Sequence, residues 1–270
     1  MEEDSAVNPE RYRGLGEMYD ANRPRPPAVI PDMLSQLARM RRPRLVVDLG
    51  CGTGLSTFPW ADRADAVIGV EPNQNMRRVA EDRLRAHAGA TTVRIQEGIA
   101  AQTGLPEGCA DIVTCSQSFH WMDPEPTLAE VARILRSGGV FAAYDCHGLP
   151  TMDWEAEEAL LAFRARVKAA REAHGLLPER RWSKEEHLER MRSSGRFRYL
   201  RESWVHSIEM GSAERLVGYV RSHGSIGLLL RQGISEAEIG LEALRAAAER
   251  ALGGEPRPWF LSYRVRIGIK

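Results

Sequence analysis

Three apolar residues, Leu45-Val46-Val47, lead into Asp48-Leu49 and then into Gly50-Cys51-Gly52-Thr53-Gly54. The apolar run, bounded upstream by Pro43, predicts a buried strand. The glycines predict a tight turn, because glycine takes positive φ freely and lets a ligand approach the backbone. Leu55 to Asp62 is expected to be helical, with Pro59 still near its first turn. The same punctuation recurs downstream. Ala66 to Val70, Thr91 to Gln96, Cys109 to Cys115 and Val140 to Asp145 read as further buried strands. Helical spacing lies between and before them. Pro27 to Met40 puts Val29, Ile30, Met33, Leu34 and Leu37 on one stripe. Asn75 to His87 forms a second helix, and Pro126 to Arg136 a third that stops at Ser137-Gly138-Gly139. Strand, glycine turn and helix form the nucleotide-binding half of a doubly wound α/β sheet.

Beyond residue 150 the pattern changes. Asp153 to Ala173 predicts a long helix of alternating charge. Ser183 to Ser193 predicts another, opened by a capping box from Ser183 to Glu186. Alternation marks Phe197 to Met210 and Pro258 to Lys270 as strands, with helical stretches over Ala213 to Arg231 and Ser235 to Leu252 between them. Three parts follow: a lid and helix over 1–41, a nucleotide-binding core over 42–149, and a helical roof with the last two strands over 150–270. The segments 150–195 and 211–255 are expected to cover the pocket. Within the second, Val220-Arg221-Ser222-His223-Gly224-Ser225 interrupts an apolar helix with polar groups. It is either a kinked surface helix or a grip on the polar end of a substrate.

Composition narrows the classes. The 270 residues hold 37 basic and 37 acidic side chains, which leaves no electrostatic footprint for nucleic acid or an anionic membrane. The acidic start, Met1-Glu2-Glu3-Asp4-Ser5, lacks the basic and apolar regions of a secretory signal, and no apolar run approaches the ~20 residues of a membrane span. Four cysteines, at 51, 109, 115 and 146, show no Cys-x-x-Cys spacing, so reduced thiols, a cytoplasmic setting and no metal are expected. A monomer or homodimer is expected.

The glycine turn carries the chemistry. A dinucleotide fingerprint wants glycine where this chain has Leu55, and Asp48 at the strand end would repel a pyrophosphate. An acid there suits a ligand bearing an ammonium and a sulfonium. Val47-Asp48-Leu49-Gly50-Cys51-Gly52-Thr53-Gly54 resembles motif I of the class I S-adenosylmethionine (SAM)-dependent methyltransferases. The resemblance implies a Rossmann-like sheet of seven mostly parallel strands and SAM as cofactor. The last two strands would form an antiparallel pair.

Further positions take their expected roles from that context. Glu71 closes the second strand about ~20 residues after Asp48, where an acid accepts both ribose hydroxyls. Met76 is placed to lie against adenine or in the core. Ile99 and Ala100 fall in the adenine-edge loop, which departs from the family by lacking an acid; Gln102 or a backbone carbonyl is left as acceptor. Ser116-Gln117-Ser118-Phe119-His120-Trp121 is similar to the methyl-facing loop of the trans-aconitate methyltransferase type of small-molecule enzyme. Ser116 and Gln117 are expected along SAM, and His120 and Trp121 at the substrate, with His120 the first candidate base or else a structural histidine. Tyr19 to Pro24 is similar to the lead-in of the same group, which implies Arg23 on the methionine carboxylate. Tyr12, Tyr19 and His223 complete the expected substrate contacts. Asn/Asp-Pro-Pro-aromatic sequences of base-amine methylases are absent, and Asp123 is the only acid near the loop, which argues against a catechol-type metal site.

The expected activity is metal-free, in-line methyl transfer to an oxygen of a small molecule, a carboxylate or a hydroxyl. A SAM-binding protein with another role, or a C- or N-methyltransferase on a natural-product intermediate, is the alternative.

Overall fold

The computed structural model describes residues 14–86, 92–176 and 181–270. Tyr12 therefore lies outside the described residues, as do the expected helix end at His87 and strand start at Thr91.

Seven strands form one sheet: β1 (Leu45–Leu49), β2 (Ala66–Val70), β3 (Val93–Gln96), β4 (Ala110–Ser116), β5 (Leu135–Thr151), β6 (Tyr199–Gly211) and β7 (Arg257–Ile269). Their order is β3-β2-β1-β4-β5-β7-β6. The β1–β2, β1–β4, β2–β3 and β4–β5 pairs are all parallel. Sequence order reverses between β1 and β4, and ligands of such sheets collect beyond the strand carboxyl ends at that point. The continuous apolar character of these strands follows from burial on both faces, and Val46, Val47, Leu49, Ile112 and Val113 are fully buried.

Several elements differ from the sequence reading, each for a local reason. Leu55 to Asp62 is not an α-helix. It winds through turns into a 3-10 segment, Phe58–Trp60. Pro59 has no N–H to give to the carbonyl of residue 55, and Thr57 and Phe58 both donate to the Gly54 carbonyl at 3.0 Å. The Ser137-Gly138-Gly139 stretch is not a free helix stop. The helix Pro124–Ile134 passes directly into β5, and the glycines fall where the β4–β5 register shifts, with Gly138 at φ 74° and donating to the Lys270 carbonyl at 2.9 Å. Ser183 makes no capping bond, because the first turn there is 3-10 (Lys184–Glu186) and the α-helix begins only at His187. Ala213 to Arg231 is two helices, Ala213–Arg221 and Gly224–Arg231, parted at Ser222-His223. Ser235 to Leu252 is helical only over Leu241–Leu252, since Gly240 takes a left-handed conformation.

The chain divides into two compact units, each drawn from separated stretches. One takes the described residues of Met1–Pro24, Gly148–Arg180 and His206–Ser262; the other takes Arg25–His147, Arg181–Val205 and Tyr263–Lys270. The borders thus cut across the expected consecutive division at 41 and 149, and residues 181–195, read as roof, belong with the sheet-centred unit. That unit has a core of Val47, Leu49, Val70, Val113, Phe119, Leu128 and Phe141. The helical unit has its own, around Leu160, Phe163, Leu216, Leu229, Leu244 and Trp259.

Candidate active site

At the carboxyl end of β1 the chain must turn sharply, and buried hydrogen bonds hold it there. Asp48 is fully buried, and its carboxylate accepts from Ser56 Oγ at 2.6 Å, Thr57 Oγ1 at 2.7 Å and Thr114 Oγ1 at 2.7 Å. Burial pushes its carboxyl upward, and the three hydroxyls oppose that shift. Its oxygens tie the turn to the start of the next segment and to β4.

Gly50, Gly52 and Gly54 all have positive φ, at 66°, 57° and 85°. Gly50 N donates to the Val70 carbonyl at 2.8 Å. A Cβ on Gly50 would lie 2.7 Å from Ser118 Cβ, and one on Gly54 2.5 Å from the Phe58 ring. At Gly52 a Cβ would meet nothing within 4 Å, so this glycine presents bare backbone to open space. Glu71 closes the far side of the turn. Its Oε2 accepts from Gly52 N at 2.9 Å and its Oε1 from Asn73 N at 2.9 Å, while Asn73 Oδ1 accepts from Met76 N at 3.0 Å. Each carboxylate oxygen carries two lone pairs, so both keep acceptor capacity for a ligand hydroxyl. Burial raises the Glu71 carboxyl, and the two backbone N–H bonds oppose the rise.

The remaining walls are uneven. Met76 is buried, in the core position that its spacing also allowed. Ile99 is exposed and Ala100 buried, in a turn pinned by the Gln102 N to Ile99 carbonyl bond at 3.1 Å. Gln102 is exposed.

After β4, Ser116 is half-buried and Gln117 stands in a left-handed conformation at φ 55°, which costs a side-chain-bearing residue energy. Its N–H donates to the Tyr144 carbonyl at 2.9 Å, and its Oε1 accepts from Lys184 Nζ at 3.0 Å. Ser118 Oγ donates to the Leu49 carbonyl at 2.7 Å, fastening this loop to the glycine turn. His120 is buried, its ring 4.7 Å from that of Trp121, and its carbonyl accepts from Trp182 N at 2.9 Å. Its Nδ1 lies 3.5 Å from Asp145 Oδ1, too far for a good bond. Burial pushes the His120 imidazole down to about 4, leaving it neutral at pH 7, and the Lys184 and Arg181 charges act in the same sense.

Asp145, at the level where β5 passes Ser116, gathers groups that the sequence reading missed. Lys184 Nζ lies 2.8 Å from its Oδ1, Arg266 Nη1 donates to its Oδ2 at 3.1 Å, and His187 Nε2 is 3.9 Å away. Despite its burial, the His120 imidazole and then the Lys184 ammonium hold the carboxyl well below the usual range. The signal available in the sequence was positional: an acid ending a strand beside the loop-bearing one. Among the described residues, no three His, Cys, Asp or Glu side chains are grouped to hold a metal ion.

Tyr19, Arg23 and His223 belong to the helical unit, where each has its own surroundings. The Arg23 guanidinium lies over the rings of Tyr19 at 4.8 Å and Tyr219 at 5.6 Å, and its Nε donates to Ser222 Oγ at 2.9 Å. The polar break is thus used by the fold. Ser222 Oγ donates to the Tyr219 carbonyl at 2.6 Å, His223 Nδ1 is 2.9 Å from the same carbonyl, and Arg221 pairs with Glu236 at 3.1 Å. Burial pushes His223 well below its ordinary range.

Comparison with known proteins follows from this geometry. Residues 47–143 match the family described as "Methyltransferase domain". An uncharacterized methyltransferase of Mycobacterium tuberculosis is 37% identical over 122 residues, 45% of this chain and 46% of that protein. One from Bacillus subtilis is 30% identical over 114 residues, 42% of this chain and 45% of that one. The matches thus span about half the length of these relatives. Among solved structures, a putative type II methyltransferase from Anaeromyxobacter dehalogenans is 26% identical, with a TM-score of 0.65 over 92% of this chain and 97% of its own.

Proposed function

We propose that this chain, whose residues 47–143 match the methyltransferase domain family, is a class I SAM-dependent methyltransferase that transfers the methyl group of SAM to an oxygen, carboxylate or hydroxyl, of a small-molecule acceptor, without a metal. The observation that carries the reading is the Glu71 carboxylate clamped to Gly52 N–H, across a turn whose central glycine faces open space. A Cβ there would fill the space an adenosyl group needs, and an acid with spare lone pairs suits two vicinal hydroxyls. The fit favours this cofactor over a pyrophosphate ligand, which Glu71 would repel.

SAM, when bound, supplies a methyl group activated by a positively charged sulfur. Glu71 holds the ribose, and the backbone of the glycine turn follows the chain of the ligand. Ile99 and Ala100 line the adenine edge through backbone groups, and Ser116 and Gln117 line the side towards the acceptor. The protein's task is to align the acceptor and exclude water. A carboxylate acceptor needs no base at neutral pH. For a hydroxyl acceptor His120 is the candidate base; burial holds its imidazole near 4, which makes it a weak one. Incubating the chain with SAM and a panel of small acids, phenols and alcohols tests the reading. Formation of S-adenosylhomocysteine (SAH) together with a methylated product is expected; absence of both SAM binding and SAH overturns it.

A further inference from the structure

Lysine is rare in this chain: 3 residues, at 168, 184 and 270, against 34 arginines. Lys168 is a solvated helix residue paired with Glu172, and Lys270 donates to the Leu135 carbonyl. Lys184 alone reaches the loop after β4. Its ammonium lies 2.8 Å from Asp145 Oδ1 and 3.0 Å from Gln117 Oε1, while its side chain stays 31% exposed. An ammonium has three hydrogens, and these two contacts leave one undirected.

Lys184 stands in a dense network of ion pairs. Asp145 is shared with Arg266, which is 1% exposed and has no route to solvent. The two histidines beside Asp145 carry no charge: His120 is pushed to about 4 and His187 to about 3, by burial first and then by the Lys184, Arg181, Arg266 and Arg190 cations. The other nearby acids are engaged by arginines: Glu186 pairs with Arg190, and Glu185 and Glu202 with Arg264. Asp145 thus faces two cations: Arg266, which also lies 3.4 Å from Glu202, and Lys184, which still meets water and sits on Gln117, the residue held in a strained backbone conformation.

We propose that Lys184 is an acceptor-recognition residue: its free N–H and positive charge form a subsite for an anionic oxygen group, carboxylate or phosphate, on the methyl acceptor. This rests on the methyl-transfer reading, since the acceptor is what the subsite holds. A compact ammonium suits a single oxygen better than a guanidinium fork does, which accounts for lysine here in a chain that otherwise uses arginine. Gln117 and Asp145 are positioning residues that hold the ammonium head in place.

The small number of lysines makes the test direct. The full chain is acetylated with an amine-reactive ester in the presence of SAH, and each lysine is followed by peptide mass spectrometry. Benzoate and succinate form one arm, phenyl phosphate a second, and benzamide and succinamide a neutral third. At saturation an anion should slow labelling of Lys184 by about tenfold, as near-complete occupancy requires, while Lys168 is unaffected and the amides protect nothing. Which charged arm protects more identifies the carboxylate or the phosphate source. Equal protection by amides, or none by any anion, overturns the proposal. SAH affinity measured calorimetrically on the same sample separates the two readings. Binding without anion protection leaves the methyltransferase reading standing and sinks this one; absence of SAH binding sinks that reading, and any protection of Lys184 then marks an anion site that is not an acceptor subsite, which overturns the proposal too. With an accepted substrate, Lys184→Met should raise KM about tenfold or more while kcat changes little, because the lost contact is made equally before and during transfer. An unchanged KM contradicts the assignment.

Discussion

Glu71 uses one carboxylate to satisfy two backbone N–H groups, of Gly52 and Asn73, and is proposed to accept the ribose hydroxyls as well. Removing it deletes that acceptor for the ribose hydroxyls and leaves the buried Asn73 N–H without its partner, an unmet donor costing about 1–3 kcal/mol of stability. Glu71→Ala should therefore weaken SAM binding by at least about tenfold in calorimetry, since every 1.4 kcal/mol is a factor of ten; unchanged affinity contradicts the role. Gly52→Val tests the other side of the same contact. The residue stands at φ 57° with open space before it, so a β-branched side chain is strained and intrudes on the ligand. SAM binding should be abolished, while a far-ultraviolet spectrum stays that of the parent. The three hydroxyl partners of Asp48, at positions 56, 57 and 114, were not legible in the sequence, because they face it only in the folded turn.

At the scale of the element, the buried strands were legible. Ala66–Val70 is found at its expected bounds, because a short apolar run between turn residues has few other ways to bury itself. Junctions were less legible. Leu55 to Asp62 carries helical composition, yet the tight bond pattern onto the Gly54 carbonyl and the missing N–H of Pro59 leave it a 3-10 turn. Ser183 and Glu186 have capping-box spacing, but a 3-10 turn does not present the required N–H groups. The same segment brings Lys184 and His187 to Asp145, a meeting that no local pattern encodes because 145 and 184 are distant in sequence. Asp153, by contrast, caps its helix as its position implies, accepting from Glu155 N at 2.9 Å and Ala156 N at 3.4 Å. Asp153→Ala should cost about 1 kcal/mol in urea unfolding, and no measurable loss would show that the 20-residue helix Trp154–Ala173 needs no cap.

For the whole molecule, buried titratable groups set the pH dependence. His120 and His187 stand at about 4 and about 3 in the folded chain against an ordinary 6.5. As pH falls below 6.5 the unfolded chain binds these protons first, so folding stability is full above that value and declines from there towards 3. The depressed carboxyl of Asp145 acts in the same sense once pH passes below its ordinary 3.8. The Asp48 and Glu71 carboxyls, raised by burial, act in the opposite sense, so the histidine share is read by comparison: the fall in thermal midpoint between pH 7.5 and pH 5 should be smaller in His187→Phe than in the parent, and an equal fall contradicts the burial of a neutral histidine there. Among the described residues no helix is long and apolar enough to cross a membrane. The methyltransferase reading itself depends on the adenosyl group seating at the turn after β1. A crystal structure of the chain with SAH tests that most directly. Both ribose hydroxyls should lie within hydrogen-bond distance of the Glu71 carboxylate, with the ligand chain along Gly50 to Gly54; SAH bound elsewhere, with Glu71 untouched, would contradict the methyltransferase reading.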